Sequence, residues 1–209
     1  MLENKLGQRI GIFGGTFDPI HIGHLLLAEL ARETLGLSFI RFIPAALAPH
    51  KLDSQPADAR HRLEMVSLAI SGNPYFMVDD REIRRGGPSY TVDTLGSLQD
   101  DLPDAQLFLL MGADSLAELH TWREPQRICE LAHVAVLARG GHPVPDLQLL
   151  SPFLPPSRPV DQAGSLVPMP QMEMSSTQIR ARVAIGSSVR YQLAPAVEAY
   201  IEAQGLYRK

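Results

Sequence analysis

An α/β fold, with a mostly parallel sheet flanked by helices and a small C-terminal helical part, is the class this sequence predicts. Three observations carry it. Short β-rich apolar runs alternate with longer helical patterns along most of the 209 residues; a Gly-Gly turn follows the first run; and unusual residues gather where the runs end. The runs are "RIGIF", "SFIRFIP", "YFMVDD", "QLFLLMG" and "HVAVLARGG". Between them stand "HLLLAELARETLG", "ADARHRLEMVSLAI" and "TVDTLGSLQDDLP", whose apolar spacing suits amphipathic crossover helices. In such sheets ligands sit beyond the carboxyl ends of the strands. Gly14 and Gly15, the segment 44–51, Gly112 to Asp114, and Arg139 all fall at such ends.

Residues 140–170 hold 8 of the 17 prolines and read as an irregular connector rather than a helix. Beyond it, "MSSTQIRARVAIG" and "APAVEAYIEAQGLY" are two more helical patterns able to pack back on the sheet. The expectation is therefore one domain over residues 1–209, with a C-terminal helical portion over about 171–209. The formal charge of −4 supplies no global positive field for a nucleic acid backbone, so no nucleic acid partner is expected. Cys129 is the single cysteine and excludes an internal disulfide, and no His or Cys spacing suggests a zinc site. A chain without a secretory or membrane-spanning apolar run is expected to work in the cytoplasm.

The stretch "GIFGGTFDPIHIGH" carries the first chemistry. A strand, a glycine turn and a helix beginning near His21 or Gly23 bring bare backbone and a helix N-terminus toward an anion such as phosphate. His21 and His24, three apart, would point two imidazoles into the same space, where donors can stabilise charge on a polyphosphate. The structural alternative is that His21 caps the helix and His24 is a satisfied, half-buried residue. Asp18 and Pro19 read at least as well as turn chemistry. Late in the chain, Ser175 and Thr177 open a helix with Arg180 on the next turn. That element can hold a phosphate, or can be an ordinary cap followed by a solvated arginine.

"GGTFDPIHIGH" resembles the signature of the HxGH nucleotidylyltransferase superfamily, whose Rossmann-like nucleotide site and motif are shared with class I aminoacyl-tRNA synthetases. The chain is short for a synthetase, and in place of the lysine-rich second signature it has "MSSTQIR", similar to the superfamily's SxTxxR motif. Further blocks, "PAALAPHK", "GGPSYTVDTL", "MGADSLAELHTW" and "VLARGG", occur in the order seen in the bacterial nicotinate mononucleotide adenylyltransferases. The resemblance runs from the first strand to the final "YIEAQGLY".

What it implies is adenylyl transfer from ATP to nicotinate mononucleotide, with release of pyrophosphate. Gly14, Gly15, Thr16, Phe17, His21, His24, Asp114, Ser175, Thr177 and Arg180 would hold ATP. His21, His24 and Arg180 would stabilise the transition state. Lys51, with His50 beside it, would reach the mononucleotide phosphate, and Arg139 joins that substrate set. Ser89, Tyr90 and Thr91 at a helix start suit a carboxylate, and Trp122 would stack on the pyridine, although a lone tryptophan is otherwise a common core residue. His120-Thr121, where relatives often carry proline, and Met174, where isoleucine is usual, depart from the pattern. The attacking phosphate is already ionised, so no general base is assigned. Mg2+ is expected with ATP, held by phosphates and water rather than by a protein cage. Other readings are an adenylyltransferase for nicotinamide mononucleotide or another phosphorylated acceptor, and a non-catalytic nucleotide-binding regulator.

Overall fold

The computed structural model describes residues 7–49 and 56–208. In chain order the elements are β1 (Arg9–Gly15), α1 (Ile22–Leu35), β2 (Phe39–Pro44), α2 (Ala59–Ile70), β3 (Phe76–Val78), α3 (Arg81–Arg85), α4 (Thr91–Asp101), β4 (Gln106–Gly112), α5 (Ala113–Ala117), α6 (Pro125–Leu131), β5 (Ala132–Arg139), α7 (Val160–Ala163), β6 (Gly164–Met169), α8 (Ser176–Ala184) and α9 (Pro195–Ala203). Two 3-10 turns, Leu119–Thr121 and Leu147–Phe153, complete the set among the described residues.

The strands form one sheet in the order β3-β2-β1-β4-β5-β6, and every pair is parallel. Such a sheet is buried on both faces, which is why its strands read as near-continuous apolar runs. Within them the period of two still sorts side chains between two cores. Leu107, Leu109 and Met111 of β4 join Ile10, Ile12, Val134 and Val136 in a core closed by Leu95 and Leu98 of α4 and Ile128 of α6. Phe108 and Leu110 face the other way, with Phe13, Phe42, Ala135 and Leu137, against Ala28 of α1, Met65 of α2, Ile179 of α8 and Val197 of α9. The late helical segments thus pack back onto the sheet.

The order reverses between β1 and β4, because β1 connects outward to β2 and β3 while the chain returns to its other side for β4. Loops leaving the two strands part there and open a crevice at their carboxyl ends.

The segment 140–170 corrects the sequence expectation. It contains a 3-10 turn, α7 and a sixth strand, β6, which pairs with β5 from Val134↔Gly164 to Arg139↔Met169. Pro168 lies inside this strand, and an edge position tolerates it because a missing N–H need not break an inner ladder. The short helix α3 was not expected either; at five residues it is too short to show a helical period. Among the described residues no helix is long and apolar enough to cross a membrane.

Candidate active site

A cavity of about 1120 Å3 opens at the carboxyl ends of β1 and β4 and is lined from both ends by the residues singled out in the sequence. Gly14 to Phe17, His21, His24, Asp114, Ser175, Thr177 and Arg180 border it, and so do Ser89, Tyr90, Thr91 and Trp122. His50 and Lys51 lie outside the described residues, as does the side chain of Arg139, whose backbone ends β5.

The histidine end is built by reciprocal capping. His21 is the N-cap of α1, in extended conformation, rather than a residue on the helix face. The His24 backbone N–H donates to His21 Nδ1 at 3.3 Å, and the His21 N–H donates to His24 Nδ1 at 3.2 Å. Two of the N–H groups that a helix start leaves unpaired are thereby satisfied. Each Nδ1 must carry a lone pair to accept, so in the neutral ring the proton sits on Nε2. The rings stack at 3.7 Å between centroids, 21° from parallel, and the edge-on Phe17 ring 5.2 Å away steadies His24. Capping and phosphate recognition are therefore compatible roles of one pair. Gly23 fits closely between them: a Cβ there would stand 3.0 Å from the His21 ring, which would have to give by a few tenths of an ångström.

Across the cavity, α8 begins at Ser175, whose hydroxyl accepts from the Gln178 N–H at 3.2 Å. The Ser176 hydroxyl donates to the Pro19 carbonyl at 2.9 Å, fastening the helix start to the turn after β1. Arg180 is not a loose surface arginine. Its Nη1 donates to the Asp18 carbonyl at 2.7 Å and lies 3.5 Å from Asp18 Oδ2, and Nη2 approaches the Thr177 hydroxyl at 3.4 Å.

The other end is the start of α4, where Tyr90 is the N-cap and no side chain caps the helix. The Ser89 hydroxyl accepts from the Ala46 N–H at 2.9 Å, and the Ser89 N–H donates to the Leu47 carbonyl at 2.9 Å. Ser89 thus ties the helix start to the β2 loop. Trp122 follows the 3-10 turn and is partly buried against the α4 core, and the Arg123 guanidinium lies 5.0 Å over the Tyr90 ring. Asp114 stands in the first turn of α5 at the end of β4.

Four further residues, not singled out as site residues, line the cavity (Asp18, Glu82) or brace the loops around it (Arg62, Tyr207). Arg62 is 1% exposed and donates to the carbonyls of Ala57, Thr16 and Ala46 at 2.9, 2.8 and 3.2 Å, joining the β1 loop, the β2 loop and the start of α2. Glu82 accepts from the Thr94 hydroxyl at 2.6 Å and is bonded to Ser89; burial raises its pKa. Asp18, given to turn chemistry in the sequence reading, is 6% exposed and accepts from the Tyr207 hydroxyl at 2.7 Å. Arg62, Glu82 and Tyr207 leave no local signal, because a polar side chain bonded to distant partners is recognisable only once those partners are known.

The family model described as cytidylyltransferase-like matches residues 12–182. A protein of Thermomicrobium roseum named probable nicotinate-nucleotide adenylyltransferase is 48% identical over 201 residues, covering 96% of this chain and 92% of its own length. The chain belongs to the nicotinate-nucleotide adenylyltransferase family. A member from Rhodopirellula baltica is 44% identical over 95% of this chain and 93% of its own length. The fold is shared with the Plasmodium falciparum nicotinic acid mononucleotide adenylyltransferase solved with NaAD, at a TM-score of 0.77 and 19% identity over 96% of this chain and 97% of that one. Membership accords with the layout described above, in which HxGH, the SxTxxR element and the SYT turn border one cavity.

Proposed function

We propose that this protein transfers the adenylyl group of ATP to nicotinate mononucleotide, giving nicotinate adenine dinucleotide and pyrophosphate. The carrying observation is the two-ended cavity. Imidazoles and an arginine line one end and an uncapped helix start with a tryptophan lines the other, within about 1120 Å3. A single small ligand typically occupies a pocket of roughly 300 to 1,000 Å3, so the volume suits two nucleotides placed in line.

In this reading the triphosphate lies between the stacked histidines and Arg180, with Gly14 to Phe17 beneath it, Asp114 toward the ribose, and Ser175 and Thr177 holding the α8 start. A 5′-phosphate oxygen of the mononucleotide attacks the α-phosphorus. The bond from that phosphorus to the bridging oxygen breaks, and its electron pair leaves with pyrophosphate. The protein contributes alignment of two polyanions and donors for the charge that spreads over the transferring and leaving groups. Nε2–H of His21 and His24 and the Arg180 guanidinium supply those donors; no residue needs to take a proton. Lys51 and Arg139 are assigned to the acceptor side. The pyridine is placed against Trp122, with its carboxylate at the start of α4, where N–H groups and the helix dipole favour an anion.

Among the described residues no group of three His, Cys, Asp or Glu stands close enough to cage a metal. Mg2+ is proposed to arrive with ATP, held by phosphate oxygens and water, and would supply charge neutralisation there. We further propose that the chain works as one unit, in the cytoplasm, with these two nucleotides as its partners.

Pyrophosphate release with Mg-ATP and either nicotinate or nicotinamide mononucleotide, at matched concentrations, tests the reading. A large preference for the acid is expected, since a site of N–H donors built for a carboxylate should reject a neutral isostere. Equal use of both would keep the transfer and discard the carboxylate pocket. Release with neither would favour another acceptor or a binding regulator.

A further inference from the structure

Arg180 reaches the cavity from α8, but what holds its guanidinium is Asp18, 162 residues earlier in the chain. Asp18 uses all three of its oxygens. Its backbone carbonyl accepts from Arg180 at 2.7 Å; Oδ2 faces Arg180 at 3.5 Å; and Oδ1 accepts from the Tyr207 hydroxyl at 2.7 Å and from the Ala57 N–H at 3.2 Å. The terminal torsion of an aspartate is broad, so which oxygen faces the arginine is set by what holds the other. The phenol bond to Oδ1, shorter than the one from the Ala57 N–H to the same oxygen, fixes the carboxylate plane and leaves Oδ2 to Arg180.

We propose that Tyr207 is a positioning residue for the triphosphate site, acting on Arg180 through the Asp18 carboxylate. The proposal rests on the reading of Arg180 given above. It reaches a segment beyond α9 that neither the HxGH nor the SxTxxR element includes.

Two observations besides the hydrogen bonds support it. Tyr207 has φ 63, a left-handed conformation that costs a non-glycine residue energy and persists only when its surroundings impose it. The ring packs on the core shared by α1, α2, α8 and α9, which can impose it. Burial first, then the bond to Asp18 and its charge, raise the phenol's pKa above its usual value, so the hydroxyl remains a donor through the neutral range.

The test is a double-mutant cycle on turnover with the full chain. Tyr207→Phe keeps the ring and removes the hydroxyl. It should lower kcat roughly tenfold, as loss of one hydrogen bond to a charged group does, and leave KM for the acceptor unchanged. Arg180→Ala should lower kcat by about a hundredfold or more. In the Arg180→Ala background the Tyr207 substitution should make no further difference, since its route is gone. Asp18→Asn should reproduce the Tyr207→Phe loss and not add to it. Wild-type turnover in Tyr207→Phe would overturn the proposal, and so would a tenfold factor that persists without Arg180, which would mark a packing role. If Arg180→Ala itself turned over normally, the assignment of Arg180 would fail first and the proposal with it.

Discussion

Replacing His24 with alanine separates the capping role that the structure shows for the imidazole from the catalytic role proposed for it. Its Nδ1 accepts from the His21 N–H at 3.2 Å, while the reverse bond, from the His24 N–H to His21 Nδ1 at 3.3 Å, does not depend on the His24 side chain. Truncation therefore removes one of two cap bonds, a cost of about 1 kcal/mol. In a chain of this length that lowers Tm by about 2–4 °C. The second loss is the Nε2–H donor proposed to face the triphosphate, which by comparison with an oxyanion donor should lower turnover about a hundredfold or more. The assay is pyrophosphate release at saturating substrates, beside a thermal melt and calorimetric ATP binding. His24→Glu completes the set. Glutamate is a standard partner at this position of a capping box, so Tm should return toward wild type, while its carboxylate faces the triphosphate and turnover stays low. A His24→Ala protein that binds ATP normally and turns over near the wild-type rate would refute the catalytic assignment, and one with an unchanged Tm would refute the cap.

Arg62→Met retains much of the side-chain volume but leaves the carbonyls of Thr16, Ala46 and Ala57 without their donor. At about 1 kcal/mol or more for each abandoned buried carbonyl, Tm should fall by roughly 10 °C and KM for ATP should rise, as melts and initial rates will show; a shift within 2 °C would contradict the clamp. Burial alone would raise the pKa of Asp79, but the Arg81 backbone N–H and the Arg41 and Arg81 guanidinium groups outweigh it and leave the value lowered. Its ionised form then stabilises the fold above the ordinary carboxylate range, and that stability is lost as pH falls through the lowered folded value. Asp79→Asn should cost about 3 kcal/mol at pH 7 in urea unfolding, with the gap to wild type closing only below about pH 4. A gap independent of pH would show that charge is not involved. Burial of Cys129 pushes its thiol up to about 11, so a thiol reagent at pH 8 should label it only after unfolding; prompt labelling of the native protein would contradict the packing of α6.

The sheet was largely legible because a strand buried on both faces announces itself as an apolar run, as in "LFLLM" and "HVAVLA". The strand β6 was not, because Pro168 in a short edge segment carries the same local signal as a connector. The histidine pair was legible for a local reason: a cap and the residue three places on interact through backbone geometry that spacing alone specifies. That the two rings cap each other's backbone, His24 accepting through Nδ1 with its proton on Nε2, came only from the packed site.

By itself the sequence determined the parallel α/β class and the family, which rest on the order of runs and blocks along the chain, and the short-range motifs at strand ends, which depend on residues within one or two turns of one another. The tertiary structure alone decided which of those motifs face one another across a cavity. It also decided that Arg62 bonds to Thr16 from 46 residues away, and that Tyr207 meets Asp18 from 189 away. The physical reason is that a buried charge or hydroxyl is satisfied by whichever partner the completed sheet brings to it, and the chain before folding carries no periodicity that records the pairing.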